Sequence, residues 1–176
     1  MYFEHFPLIQ YDSVGNGLNK DVTNLFRRVA VRSKIKTNTA LFDTYDVKDG
    51  ETPEMIAYRL YGDAQLHWVV LLFNDVKDRY HQWPMAQNQF EKYLLDKYGT
   101  TINDVHHYEI EEESGHLHEK IDIGTDNTDY PAASIVTNRE FEERRQDDYR
   151  RIKLLDPRFI DDFVEEFKRL IKEKVI

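Results

Sequence analysis

The sequence predicts an α+β fold in three parts: a helical arm over residues 1–40, a strand–helix–helix unit over 41–99, and a β-hairpin followed by helices over 100–176. Three observations carry that expectation. A short extended stretch at Phe42, Tyr45 and Val47 meets turn chemistry at Asp49-Gly50 and then a helix start at Thr52-Pro53. Residues 105–123 alternate polar and apolar side chains with a period of two on either side of Ser114-Gly115. Ile160, Phe163, Val164, Phe167, Leu170 and Ile171 recur at helical spacing.

Composition narrows the function classes. The 176 residues suffice for one domain, or one compact core with appendages. With 33 acidic against 24 basic residues the net charge is -9, which argues against nucleic acid and anionic membranes as partners, because both are held by clustered Lys and Arg. Cysteine is absent, so there is no disulfide framework, thiolate metal site or Cys nucleophile, and a reducing cytosol suits the chain's synthesis. The opening MYFEHFPLIQYD lacks the basic start and apolar core of a signal peptide. No run approaches the ~18 to 20 apolar residues that span a bilayer.

In the arm, Val22, Leu25, Phe26 and Val29 fall at helical spacing, with Arg27, Arg28, Arg32, Lys34 and Lys36 behind them. This predicts a short amphipathic helix with a basic end. That end is either a solvated face or, through Arg27 and Arg28, a docking patch for an acidic neighbour.

The middle unit is more explicit. Thr52 caps a helix with Pro53 at its first position and Glu54 near the positive end of its dipole. Ile56, Leu60 and Tyr61 supply its apolar face, and Gly62 stands where a left-handed residue closes it. Asp63 starts a second helix, in which Leu66, Val69, Val70 and Phe73 share one face while Trp68, Leu71 and Leu72 cover the others. A helix apolar on all sides is buried, and two coverings are open: the chain's own arms or a partner. Trp68 and Leu72, with Tyr80 and Trp83 nearby, are therefore candidate interface residues. The competing reading for the aromatics is core filling against a helix over 86–98 that carries Phe90, Tyr93, Leu94 and Tyr98.

The pattern Tyr45-x-Val47-x-x-Gly50-Glu51-Thr52-x-x-x-Ile56-Ala57-x-x-x-Tyr61-Gly62, closed by Asn74, resembles the front half of a LysM domain, a βααβ module. After Asn74 the sequence DVKDRYHQWPM departs from the family's Gly-Gln-x-Leu-x-Ile-Pro closing strand, and only the first of the two glycan-binding loops is recognisable, which argues against glycan binding. On a wider scale YFEHFPLIQYD, DVTNLFRRVAVR, GETPEMIAYRLYGDAQLHWVVLLFND, RYHQWPM and REFEERRQDDYRRIKLLDPRFIDDFVEEF together resemble the baseplate wedge subunit of contractile-tailed bacteriophages. This resemblance implies a LysM-like domain embedded between arms that contact other wedge proteins. It further implies a place beside the dimer of the inner baseplate ring, a role in holding neighbouring wedges together, and a requirement before the sheath-initiating subunit can act. It implies a virion protein of the tail baseplate, assembled in the host cytoplasm.

Catalytic signatures are few. His106, His107, His116 and His118 crowd the hairpin, and pairing Glu113 with His116 places His118 opposite Glu111 and His107 opposite Asp122. One face then carries Tyr108, Ile110, Leu117, Ile121 and Ile123, and the other the charged and histidine side chains. His107 is about 13 Å along the ladder from His118, so three histidines cannot close on one ion, and His116, His118 and Glu111 offer only a partial set. The favoured reading of that face is solvated. No Gly-x-Ser-x-Gly elbow, phosphate loop or His-Glu-x-x-His helix is present.

Thr137-Asn138-Arg139-Glu140 forms a capping box before a charged helix expected through Lys153, with only Phe141, Tyr149 and Ile152 as large apolar residues. Asp156-Pro157 opens the terminal helix, whose stripe nominates Phe163, Phe167 and Leu170 as partner contacts. Residues 137–176 are thus expected to be a docking tail separable from the middle unit. The sequence as a whole predicts a structural adaptor that is not an enzyme and needs no cofactor. Its alternatives are a LysM-type cell-wall glycan-binding module and, more distantly, a metal-dependent hydrolase.

Overall fold

The computed structural model describes residues 2–31, 35, 38–114, 117–126 and 130–173. In chain order they form β1 (Leu8–Tyr11), β2 (Lys20–Thr23), β3 (Phe42–Asp46), α1 (Pro53–Tyr61), α2 (His67–Phe73), α3 (Arg79–Gln82), α4 (Gln87–Tyr98), β4 (Val105–Ser114), β5 (Leu117–Asp122), β6 (Ser134–Thr137), α5 (Asn138–Arg150), β7 (Arg151–Leu155) and α6 (Ile160–Lys172). The strands make three sheets, β1-β2, β3-β7 and β5-β4-β6. Two compact units interleave in sequence: residues 1–47, 51–83 and 151–176 make the first, residues 48–50 and 84–150 the second.

In the first unit β3 pairs antiparallel with β7, from Phe42 opposite Leu155 to Asp46 opposite Arg151. The partner strand of β3 therefore comes from far downstream. Thr52 Oγ1 accepts the Met55 N–H to start α1, and Gly62, at φ +76°, ends it with its N–H on the Tyr58 carbonyl. Asp63 then accepts the Gln65 N–H and turns the chain into α2. Asn74 closes α2 and fixes it to β7 at once: its Nδ2 donates to the carbonyls of Val70 and Lys153, both at 2.8 Å, while its Oδ1 accepts the Lys153 N–H at 2.7 Å. The Tyr61 hydroxyl ties the end of α1 to the same strand through the Leu155 carbonyl at 3.0 Å. Burial pushes the Tyr61 phenol well above its ordinary value, so it stays a donor.

Two apolar clusters flank α2. Trp68, Val69 and Phe73 join Phe6, Leu155, Phe167 and Ile171 in one; Val70 joins Val47, Ile56, Ala57, Trp83, Ile152 and Leu154 in the other. The helix is apolar all round because it is packed from both sides. Its coverings come from this same chain: the Tyr2 ring lies tilted against Trp68 and Phe167, with ring centroids 5.3 and 5.4 Å away, and α6 supplies Phe167 and Ile171.

The arm differs from expectation. Residues 20–23 form β2, paired with β1 as Ile9 opposite Val22 and Leu8 opposite Thr23, and no helix carries Val22, Leu25, Phe26 and Val29 together. The reason is local. The Asp12 carboxylate gathers the backbone N–H groups of Val14, Gly15, Asn16 and Gly17, and both glycines take positive φ, so the chain reverses before Lys20 and leaves β-branched Val22 and Thr23 in an extended return.

The second unit sets α4 and α5 with the three-stranded sheet. Asp49 accepts the Gln87 N–H at the start of α4. The capping box at α5 is formed in both directions, Thr137 N–H to Glu140 and Glu140 N–H to Thr137 Oγ1. The helix ends at Arg150, however, and Lys153 lies in β7. Its shortage of apolar residues is met by buried polar ones. Glu142, 1% exposed, accepts from Lys97 Nζ at 2.6 Å, the Tyr98 hydroxyl at 2.9 Å and Arg145 at 3.2 Å, and Gln146 accepts the Met85 N–H.

The hairpin register also differs, by two residues. Glu113 faces His118, Glu111 faces Lys120, Glu109 faces Asp122, and Ile110 faces Ile121. Pairing isoleucine with isoleucine and glutamate with lysine favours this register, and a shift of two leaves the division of faces intact. The polar face is not a solvated one throughout: His107 and Glu109 are buried, with Phe141 and Arg144 of α5 against them.

Residues 137–176 are consequently not a separable tail, since they contain the partner strand of β3 and five side chains of the first unit's core, Ile152, Leu154, Leu155, Phe167 and Ile171. A chain ending at Arg150 is expected to lose the cooperative thermal transition of the first unit, as followed by near-UV circular dichroism of Trp68 and Trp83. Asn74→Ala leaves both backbone groups of Lys153 without that partner and should cost about 1 to 3 kcal/mol, measured by urea unfolding. Burial alone would raise the Glu142 carboxyl, but hydrogen bonds from Lys97 and Tyr98 outweigh it and hold the group below its ordinary value. Its contribution to stability is then present above the unfolded carboxylate value of about 4.3 and is lost as pH falls through the folded one. Urea midpoints between pH 6 and 3 should drop less steeply for Glu142→Gln than for the parent.

Candidate functional site

The first unit carries an open apolar groove of about 440 Å³. Val29 and Val31 of the arm form one wall, Leu72 of α2 the floor, and Phe163, Phe167 and Leu170 of α6 the other wall. The amphipathic pattern of α6 explains its side: Phe167 and Ile171 turn into the core, while Phe163 and Leu170, one turn to either side, are left at the margin. Charge rims the opening. Arg169 grips Glu166 with two hydrogen bonds, 2.6 and 2.8 Å, and Arg27 reaches from the arm to the Glu173 carbonyl just past α6, where a cation suits the helix dipole.

Four of the residues nominated from the sequence thus meet in one place: Leu72, Phe163, Phe167 and Leu170. The others are elsewhere. Trp68 lies beneath the groove in the core, its ring 4.5 Å from Phe167. Trp83 is buried in the second cluster and donates from Nε1 to the Glu51 carbonyl at 2.9 Å. Tyr80 is 86% exposed on α3. Arg27 is engaged with α6, and Arg28 is exposed beside Tyr2, whose phenol burial pushes up and Arg28 partly brings back down. A helical reading of the arm turns Val29 and Val31 to different faces and gives no sign of a shared wall.

The partial metal set of His116, His118 and Glu111 does not lie wholly among the described residues. His116 lies outside the described residues, and among those described no group of three or more His, Cys, Asp or Glu side chains is arranged to hold a metal ion. Nor is any described helix long and apolar enough to cross a membrane.

The sequence matches the family described as base plate wedge protein 53 over residues 1–174. This chain belongs to the base plate wedge protein 53 family. Among curated proteins it is similar to the baseplate wedge protein gp53 of Enterobacteria phage T4, 26% identical over an alignment of 192 residues that covers 98% of this chain and 97% of the relative. A member of this wedge family is a structural component of the virion's tail baseplate, where its neighbours are other wedge subunits. An apolar groove with a charged rim suits such a component, since the centre of a protein interface is apolar and its margin polar.

The groove and the core beneath it should separate on mutation. Trp68→Ala, within the core, is expected to cost about 3 to 5 kcal/mol, whereas Leu72→Ala, half-buried at the groove floor, should cost about 1 to 2 kcal/mol. Paired thermal and urea unfolding of the two variants gives the comparison.

Proposed function

We propose that this wedge protein is an adaptor: it joins wedge subunits and neighbouring wedges, lies beside the inner-ring dimer, and permits the sheath-initiating subunit to act. The groove between the arm and α6 carries this reading. It is apolar, open and rimmed by opposite charges, so a helix or extended segment of a wedge neighbour would find there the contact that the isolated chain lacks.

The β3-α1-α2-β7 arrangement supports a LysM-like reading of the first unit, with Tyr45, Glu51 and Asn74 in the positions of the family's pattern. In this reading the module is a rigid frame. LysM modules that bind glycans use the loop before the closing strand, and here α5 ends at Arg150 and β7 begins at Arg151, leaving no loop at that point.

Reconstitution of wedges from their purified subunits tests the proposal. Leu170→Glu, which places a charge in the groove margin, should leave the melting temperature within a few degrees and abolish entry into the wedge. Normal incorporation of a folded Leu170→Glu protein would sink the adaptor role of the groove. Calorimetric titration with soluble chitin or peptidoglycan oligosaccharides should show no saturable heat; a micromolar signal would favour the glycan reading.

A further inference from the structure

His106 and His107 are adjacent, yet both lie against Phe141 of α5. In a regular strand neighbouring side chains leave opposite faces. Here the β4-β6 ladder slips between Val105 and His107, and this bulge turns the two rings to one side. His106 stacks on Phe141 with centroids 3.8 Å apart and planes 11° apart, and His107 meets the same ring edge-on at 6.0 Å. The Nδ1 atoms of the two histidines stand 2.8 Å from each other, a hydrogen-bond distance. His107 Nε2 is 3.0 Å from Glu109 Oε1, which also accepts from Arg144 of α5 at 2.6 Å.

This geometry limits the number of protons. The Glu109 carboxylate accepts, so His107 Nε2 carries a hydrogen. A single hydrogen lies between the two Nδ1 atoms, donated by whichever ring holds it. The pair can bear one positive charge with that contact intact. A second charge puts N–H on both Nδ1 atoms and turns the contact into a repulsion.

We propose that the His106–His107 pair is an acid-sensitive latch that fastens α5 to β4 at neutral pH and lets go when both rings are protonated. The charged groups around it set its range. On β4 there is Glu109; on β5, Asp122 near His106 and Lys120 3.8 Å from Glu109 Oε2; on α5, Glu142, Arg144 and Arg145; on α4, Lys97. For His106, burial and then His107 lower the affinity for a proton, and Asp122 and Glu142 restore only part of it. Burial alone would raise the Glu109 and Glu142 carboxyls, but hydrogen bonds outweigh it, from His107 and Arg144 to Glu109 and from Lys97 and Tyr98 to Glu142, and hold both below the ordinary carboxylate range, so neither titrates where histidines do. A histidine held below its unfolded value contributes stability that is complete above about pH 6.5 and is lost as pH falls through the folded value.

Hydrogen exchange on the full chain at pH 7 and pH 5, corrected for intrinsic rates, reads the latch directly. Amides of residues 141–150 should lose at least tenfold in protection at pH 5 while those of α1 do not. The His106 ring signal in a proton–carbon NMR titration should move with a midpoint below 6.5. His106→Phe keeps the stack on Phe141 and removes the shared hydrogen, so its α5 protection should be the same at both pH values. Unchanged protection of α5 in the parent chain, or two imidazoles that titrate independently at the ordinary histidine value, overturns the proposal even if the variant does not fold.

Discussion

The amide of Asn74 is the joint on which the first unit depends. One side chain ends α2, through the Val70 carbonyl, and holds both backbone groups of Lys153 in β7. A strand that returns from so far along the chain brings a loop-closure cost that its own ladder with β3 must overcome. Fixing it to a helix formed locally shares that cost with the packing of α2, whose side chains enter both apolar clusters. The groove follows from the same joint. Leu155 at the end of β7 lies in the core with Phe167, and α6 can present Phe163 and Leu170 at the margin only because β7 has delivered it there.

The two units solve the problem of a core differently. The first buries aromatic and aliphatic side chains in quantity. The second buries Phe90, Leu94 and Val136 but also His107, Glu109, Glu142 and Gln146. Buried ionic groups add little net stability over an apolar core, yet each must find its partner, which makes the arrangement specific and sensitive to protonation. The charged character of α5 is thus not the mark of a solvated helix. It is how the helix is held.

Local chemistry was legible in the sequence wherever a few neighbouring residues decide the outcome. The cap at Thr52, the left-handed stop at Gly62 and the capping box at Thr137 are all one-turn events, fixed by sterics and hydrogen bonds within four residues, and the stripe of α6 needs only the helical period. The division of the hairpin into two faces was equally legible, because it depends only on a period of two. The arm shows the limit of such reading. Spacing alone made residues 22–29 a helix, while a carboxylate ten residues upstream, collecting the N–H groups of a glycine-bearing loop, made a hairpin instead.

The lack of cysteine by itself also determined that this chain has no thiol chemistry, and the order of its residues carried the resemblance to the wedge family. Tertiary structure alone decided which strand closes on β3, that Trp68 and Trp83 belong to the core, that Leu72, Phe163, Phe167 and Leu170 share a groove, and that His106 and His107 lie on one side of β4. The physical reason is common to all four. Each depends on which distant segments come to share a buried surface, and that choice rests on the summed packing of many weak contacts that no short window of sequence contains.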